Sequence, residues 1–413
     1  MFKSLSLKVI VFGFIFTFFS SFGQSFFLGL FNSSIRDTLS ITHGQFGSIF
    51  ASATLLSSIL FIWLGKKIDD VNVFKFSLFV IPLLAFACFF FSKIYSIPFL
   101  FVAIFLMRFS GQGMMSHTAS TTISRYFTKS RGKALSAGWF GLSCGEFILP
   151  ILTVYLLTLY TWQNIWVTIS IIVILLLPLA SFFLIKNLGL ESRETDNNQK
   201  QVDKNIKQWT RLEVLKDYRF YIISSNMLAM PWIATGVFVY QSYVTSSKGW
   251  GEFTIAQSFM SYSIFTVSTL LLAGPLIDKF SSRKLLIYMN IPLLFSTFVI
   301  ILFDSSVTAF VFLGLIGISN GFANVLGSAT WAEIYGVKHI GSIKALTTAL
   351  MVFSTAFGTA LFGVLIDIGF SIEKIAVVSA IYIFLSLALL FLTRKKLNPI
   401  YIYKTLDFFE PQV

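Results

Sequence analysis

Acidic side chains are scarce in this sequence, with 18 Asp and Glu against 31 Lys and Arg, and charged residues of every kind make up only 12% of its 413 residues. That is about half the charged fraction of a soluble domain, so a water-exposed globular surface is excluded. Cysteine is nearly absent. The two that occur, Cys88 and Cys144, fall inside apolar runs, which argues against a disulfide framework and against a thiolate metal cluster. The three histidines, His43, His117 and His339, have no ligand spacing. No nucleophile beside a base and no phosphate-cradling glycine loop stands in the sequence, so an enzyme is not expected, nor a cofactor or metal.

What is present is apolar: 56% of residues are hydrophobic and the mean hydropathy is +0.81. The apolar residues fall in blocks of roughly 20, the length an α-helix needs to cross about 30 Å of hydrocarbon, and the alternation of a barrel strand is missing. Phenylalanine is abundant, at 49 residues. Genome base composition produces such an excess without any aromatic binding site. The opening "MFKSLSLKVIVFGFIFTFFSSFGQSFFLGLF" has lysines before an apolar run, as a signal peptide does. The run from Val9 to Phe31 is too long for that and lacks a cleavage pattern, so it reads as an uncleaved first span.

Twelve spans are expected, near 9–31, 45–64, 74–92, 97–123, 134–158, 164–186, 219–245, 254–276, 285–303, 307–331, 343–366 and 372–393. They imply an all-α integral membrane protein of two six-helix bundles, residues 1–186 and 219–393, joined by a polar linker at 187–218 and followed by a tail at 394–413. A short surface helix is expected around Trp209 to Leu215. With the N-terminus placed in the cytoplasm, 26 of the 31 basic residues lie inside and four outside (Arg36, Lys93, Lys248 and Lys374), Arg108 being within a span. Positive-inside bias is thus obeyed at every loop, which points to a bacterial inner membrane with both termini cytoplasmic. Basic loops against anionic headgroups also account for the net charge of +13, so no nucleic-acid partner is needed.

The two halves repeat each other. "WLGKKIDDVNVFK" and "LAGPLIDKFSSRK" align Gly65 with Gly274 and Asp69 with Asp278, and Tyr126 aligns with Tyr335 at the same offset of 209 residues. On these residues the chain resembles the major facilitator superfamily of secondary transporters. The family's loop signature, Gly-x-x-x-Asp followed by basic residues, stands as Gly65, Asp69 and Lys75 and again as Gly274, Asp278, Arg283 and Lys284. The resemblance implies twelve helices in two pseudo-symmetric bundles, a small-molecule substrate moved by alternating access, and gating by these loop residues. A glycine at a helix end admits a close neighbour, and the acid can cap a helix N-terminus or pair with a basic loop.

The run "RYFTKSRGKALSAGWFGLSCGEFILP" is similar to the monocarboxylate and oxalate/formate branch of that family. Its glycines Gly138, Gly141 and Gly145, with Pro150 beyond, form a small-residue face on which two helices can pack and rock. The chain departs from the best-known monocarboxylate porters in two places. Its first span opens without an acidic motif, and its eighth, "TIAQSFMSYSIFTVSTLLLAG", carries no charge, so the arginine of those porters cannot be carried over.

Arg108 and Glu146 are the charges buried within the spans, each about 16–18 Å from its helix start at 1.5 Å per residue, near the bilayer midplane. Two readings stay open: an anion site in which Arg108 binds substrate and Glu146 carries a coupling proton, or a static ion pair locking spans four and five. On an α-helix Gly111, Gln112 and Met115 would share the face of Arg108. The central helices of facilitators are the first, fourth, seventh and tenth, so the resemblance adds Gln24, Asn226, Tyr240, Gln241, Asn320 and Asn324 as substrate contacts. The expected function is proton-coupled transport of a small organic anion by a monomer embedded in lipid. The alternatives are export of amphiphilic compounds, or a non-transporting sensor on the same fold.

Overall fold

The computed structural model describes residues 4–65, 67–127, 131–186 and 207–400. Twelve helices among them are long and apolar enough to cross a membrane, and no strand occurs among the described residues. They are α1 (Ser6–Gly23), α2 (His43–Leu64), α3 (Val73–Phe91), α4 (Ile97–Tyr126), α5 (Gly132–Leu159) and α6 (Trp162–Ile185) in the first half. The second half holds α7 (Tyr218–Val239), α8 (Phe253–Ile277), α9 (Ser282–Leu302), α10 (Thr308–Tyr335), α11 (Ile340–Asp367) and α12 (Ile372–Lys396). Large apolar side chains such as Trp63, Phe183 and Leu392 stay on the outside of the bundle, where acyl chains replace water.

Caps set where several helices begin. Thr42 and Gln45 form a reciprocal capping box ahead of α2, while Asn72, Thr161, Asp217 and Ser371 each accept a backbone N–H at the starts of α3, α6, α7 and α12. The short surface helix appears as Arg211–Lys216, begun by a second box of Thr210 and Glu213. Three hydrogen bonds at Glu213 from Thr210 and Lys207 hold its carboxyl down to about 2. The linker residues 187–206 lie outside the described ones.

The packing repeats after six helices, as duplication requires. In the first half α1 lies on α5 and α3 on α6; in the second α7 lies on α11 and α9 on α12. Between the halves α2 packs on α11 and α8 on α5. The first half is centred on Trp166, fully buried, with Phe91, Phe31 and Phe27 at 4.5, 5.1 and 5.4 Å between ring centroids. Much of the phenylalanine excess is therefore spent on packing.

Two expected spans differ at their ends. The first, expected as one run over 9–31, stops at Gly23, turns through Gln24 in an extended conformation (φ −84°, ψ 152°) and resumes as Ser25–Leu28. The seventh ends at Val239, and after Tyr240 the chain continues as a separate helix Gln241–Ser247. Pro231 lies within α7, but the interruption comes at Tyr240.

Candidate functional site

The break in α1 and an irregularity in α4 meet at one place. From Arg108 to Met115 the α4 backbone widens into a π-helix, a form that concentrates at functional sites because it leaves backbone groups less tightly satisfied. Gly23 and Gly111 make this possible. Each lacks a side chain where the two backbones touch, and a methyl group on either would overlap the other helix.

The break serves the arginine. Because Gln24 is extended, the next turn of helix bonds to the Gln24 carbonyl, and the Gly23 carbonyl is left for a side chain. Arg108 Nη1 donates to it at 3.1 Å and to Ser25 Oγ at 3.2 Å, while the guanidinium lies 5.4 Å from the Phe50 ring. Arg108 is 3% exposed, and its Nε has no partner. Arg108 and Glu146 form no ion pair within 4 Å; two neutral groups on the α1 break hold the arginine instead. The static pair expected as one alternative is thus not the arrangement present.

Both side chains line one cavity of about 960 Å³ between the halves. It runs from Arg108, Glu146 and Gln24 at mid-depth to Lys344 and Ala345, which are exposed at the end of the molecule that carries the basic loops. Gln112, Asn320 and Asn324 also line it, so of the eight substrate contacts expected, these three with Arg108 and Gln24 converge. Gln112 stays on the face of Arg108 despite the π-turn. Gly111 and Met115 do not share it: Gly111 faces Gly23, and Met115 is fully buried in the core.

Asn226, Tyr240 and Gln241 lie off the cavity wall. Asn226 is fully buried, and the Asn290 side chain donates to its carbonyl at 2.6 Å. The other two close the end opposite the basic loops. Tyr240 donates its hydroxyl to the His43 carbonyl (2.8 Å) and the Thr359 carbonyl (3.0 Å), and Gln241 donates to the Phe26 carbonyl (2.8 Å). Asn32 reaches across the halves to the Val239 carbonyl at 2.9 Å. Asp367, at the end of α11, accepts from the first two amides of α2, His43 at 3.0 Å and Gly44 at 2.8 Å. A carboxylate thus caps a helix N-terminus belonging to the other half. The cavity is open toward the basic end and sealed at the other.

At the basic end the side chains of Asp69 and Asp278 lie outside the described ones. Gly65 lines the cavity mouth and its carbonyl accepts from His117 Nε2 at 3.0 Å, whereas Gly274 faces open space. Arg283 is paired with Glu333 of α10 at 3.0 Å and also donates to the Asn398 side chain. The glycine face of α5 packs within the first half: Gly141 and Gly145 rest on α1, and Gly138 meets Ile123 of α4. Pro150 lies within α5. The boundary with the second half lies on another face, where Ser263 of α8 donates to the Ser143 carbonyl at 2.8 Å.

Sequence reasoning missed Ser25, Phe50, His117, Tyr262, Glu333 and Asp367. The glycines at 23, 111 and 113 were the available signal for the first two, since they mark where backbones approach and helices loosen. Tyr262 accepts a hydrogen bond from Asn320 at 2.8 Å on the cavity wall.

Comparison with solved structures gives the same architecture. A bacterial homolog of the human lysosomal transporter Spinster, in an inward-facing and unoccupied conformation, superposes with a TM-score of 0.72 at 13% identity, over 96% of this chain and 98% of that one. The nucleoside transporter NupG superposes with 0.69 at 14% identity, over 96% and 99%. At such identities the likeness is one of fold. No curated protein matches the sequence. The sequence profile described as Major Facilitator Superfamily matches residues 13–256 and 221–401, which is nearly the whole chain. With twelve helices, paired halves and a central cavity in agreement, this chain belongs to the major facilitator superfamily, a transporter of a small solute.

Proposed function

We propose that the solute is a small organic anion and that its transport is coupled to protons, with Arg108 binding the anion and Glu146 carrying the proton. One observation carries the reading: a guanidinium at mid-depth, held by neutral groups and with an unpartnered Nε, shares a cavity with a carboxyl that is not its ion-pair partner. A buried cation without a counter-ion is costly, and an anionic solute supplies one. The likeness of the α4–α5 stretch to the monocarboxylate branch agrees. Gln24, Gln112, Asn320 and Asn324 supply neutral hydrogen bonds to the rest of the solute.

Purified protein in liposomes should accumulate a labelled monocarboxylate when the interior is made alkaline, and a protonophore should abolish the accumulation. Uptake indifferent to the pH gradient would remove the coupling; absence of uptake across a panel of carboxylates would remove the anion.

Alternating access requires that the seal at the far end and one at the basic end exclude each other. Asp367 belongs to the first and the loop acids Asp69 and Asp278 to the second, the basic end being cytoplasmic by its lysines and arginines. A cap is worth about 0.5–2 kcal/mol, so Asp367→Ala should move the equilibrium about 2- to 30-fold toward opening at the far end. Asp69→Asn and Asp278→Asn should move it the other way. Spin-label distances between α2 and α11 at both ends read the shift. Shifts of the same sign for all three variants would refute the reciprocal arrangement.

A further inference from the structure

The cavity wall is divided by charge. At mid-depth its charged lining groups, Arg108 and Glu146, come from the first half, as does His117 nearer the mouth, and in the second half the charged lining residue is Lys344 at the mouth. Opposite them stands α7. Met227, Pro231, Ala234 and Phe238 recur at intervals of four, three and four residues, the spacing that keeps side chains on one face of a helix. Leu228 and Met230 add to the same wall, on which Ser224 and Thr235 are the polar residues of α7, and Ala323 of α10 continues it. The eleven helical steps from Met227 to Phe238 make a strip about 16 Å long, lying across the depth at which the arginine sits.

Such a strip has a definite cost when the cavity holds only water and a short hydrophilic anion, because the apolar face stays hydrated. A solute that carries its charge at one end and an apolar body at the other satisfies both walls at once: the head against Arg108, the body along α7. Sugars and nucleosides, polar on every side, would leave the strip unmatched. The strip itself is aliphatic and thioether in character, with Phe238 at its far end. Methionine adapts to bodies of varied shape.

We infer that the transported solute is an amphipathic monocarboxylate, an anionic head on an aliphatic body of several carbons, with α7 setting the preference for the body. The inference rests on the anion reading above and goes beyond it in naming the second half of the molecule as the determinant of specificity.

The test is isothermal titration of the purified full chain with acetate, butyrate, hexanoate and octanoate, each below its micelle threshold, and with octanamide. Burial of a methylene is worth about 0.8 kcal/mol, so the dissociation constant should fall about fourfold for each one added. Octanamide should bind at least tenfold more weakly than octanoate. Met227→Gln, of the same length but polar, should reduce the advantage of octanoate over acetate several-fold. Arg108→Gln should weaken all four acids together and leave the dependence on length. A flat or inverted length series in the unsubstituted protein overturns the inference, even where acetate binds. Octanamide binding as tightly as octanoate would instead overturn the anion reading while the length dependence stood.

Discussion

Arg108→Lys should lose substrate affinity by about 10- to 100-fold while the protein still reaches the membrane. The guanidinium is already engaged by the Gly23 carbonyl and Ser25 Oγ and has further donors for a carboxylate. A lysine ammonium is a point charge and cannot serve the helix break and a two-pronged ligand together. Hydrogen bonds to charged groups contribute about 1.5–3 kcal/mol, which sets the size of the loss. Glu146→Gln should behave differently, mimicking the permanently protonated acid: binding and exchange of solute persist, and accumulation driven by a pH gradient fails. Because no ion pair joins the two residues, Arg108→Gln with Glu146→Gln should show nearly additive loss of thermal stability. Rescue of one substitution by the other would mean that the two charges meet directly, and would overturn the division of roles. So would a double variant that still accumulates substrate against a gradient.

The same pair shows how far the sequence reaches. Depth along a helix is a matter of counting residues from the start of an apolar run, and it brings Arg108 and Glu146 to one level correctly. Partners are not. The carbonyl that receives Arg108 exists because Gln24 interrupts the helix, and although Gly23 and Gly111 mark a close approach of backbones, they do not say which carbonyl is freed or which side chain takes it. Likewise Gly111 and Met115 are placed on the arginine's face by α-helical counting and off it by the π-turn. Asp367 lies beyond reach for another reason: its partners are backbone amides 324 and 323 residues away, and backbone amides are invisible in a sequence. The apolar blocks, the basic loops and the repeat at 209 residues are legible because each is a bulk property or a local one. Tyr240 and Gln241 show the limit between the two. Polar residues on a central helix read as ligands, yet both are used to seal one end against the other half.

Gly141→Ala should be among the most damaging single-methyl changes in the first half. A β-carbon there would overlap the backbone carbonyl oxygen of Phe14 and crowd Thr17 Oγ1. A carbonyl in the middle of a helix cannot swing aside, so relief requires α1 and α5 to separate. Separation also stretches the bond from Thr17 Oγ1 to the Gly138 carbonyl, now 2.6 Å. Overpacking of this kind costs about 1–3 kcal/mol and more where the obstacle is backbone. The neighbouring glycines provide the control. A methyl at Gly145 meets the Ser21 side chain, and one at Gly138 meets the end of Ile123, both of which can rotate. Gly145→Ala and Gly138→Ala should therefore cost distinctly less than Gly141→Ala, the order being read by thermal unfolding in detergent. Equal stability at all three positions would show that α1 and α5 are not in backbone contact at Gly141.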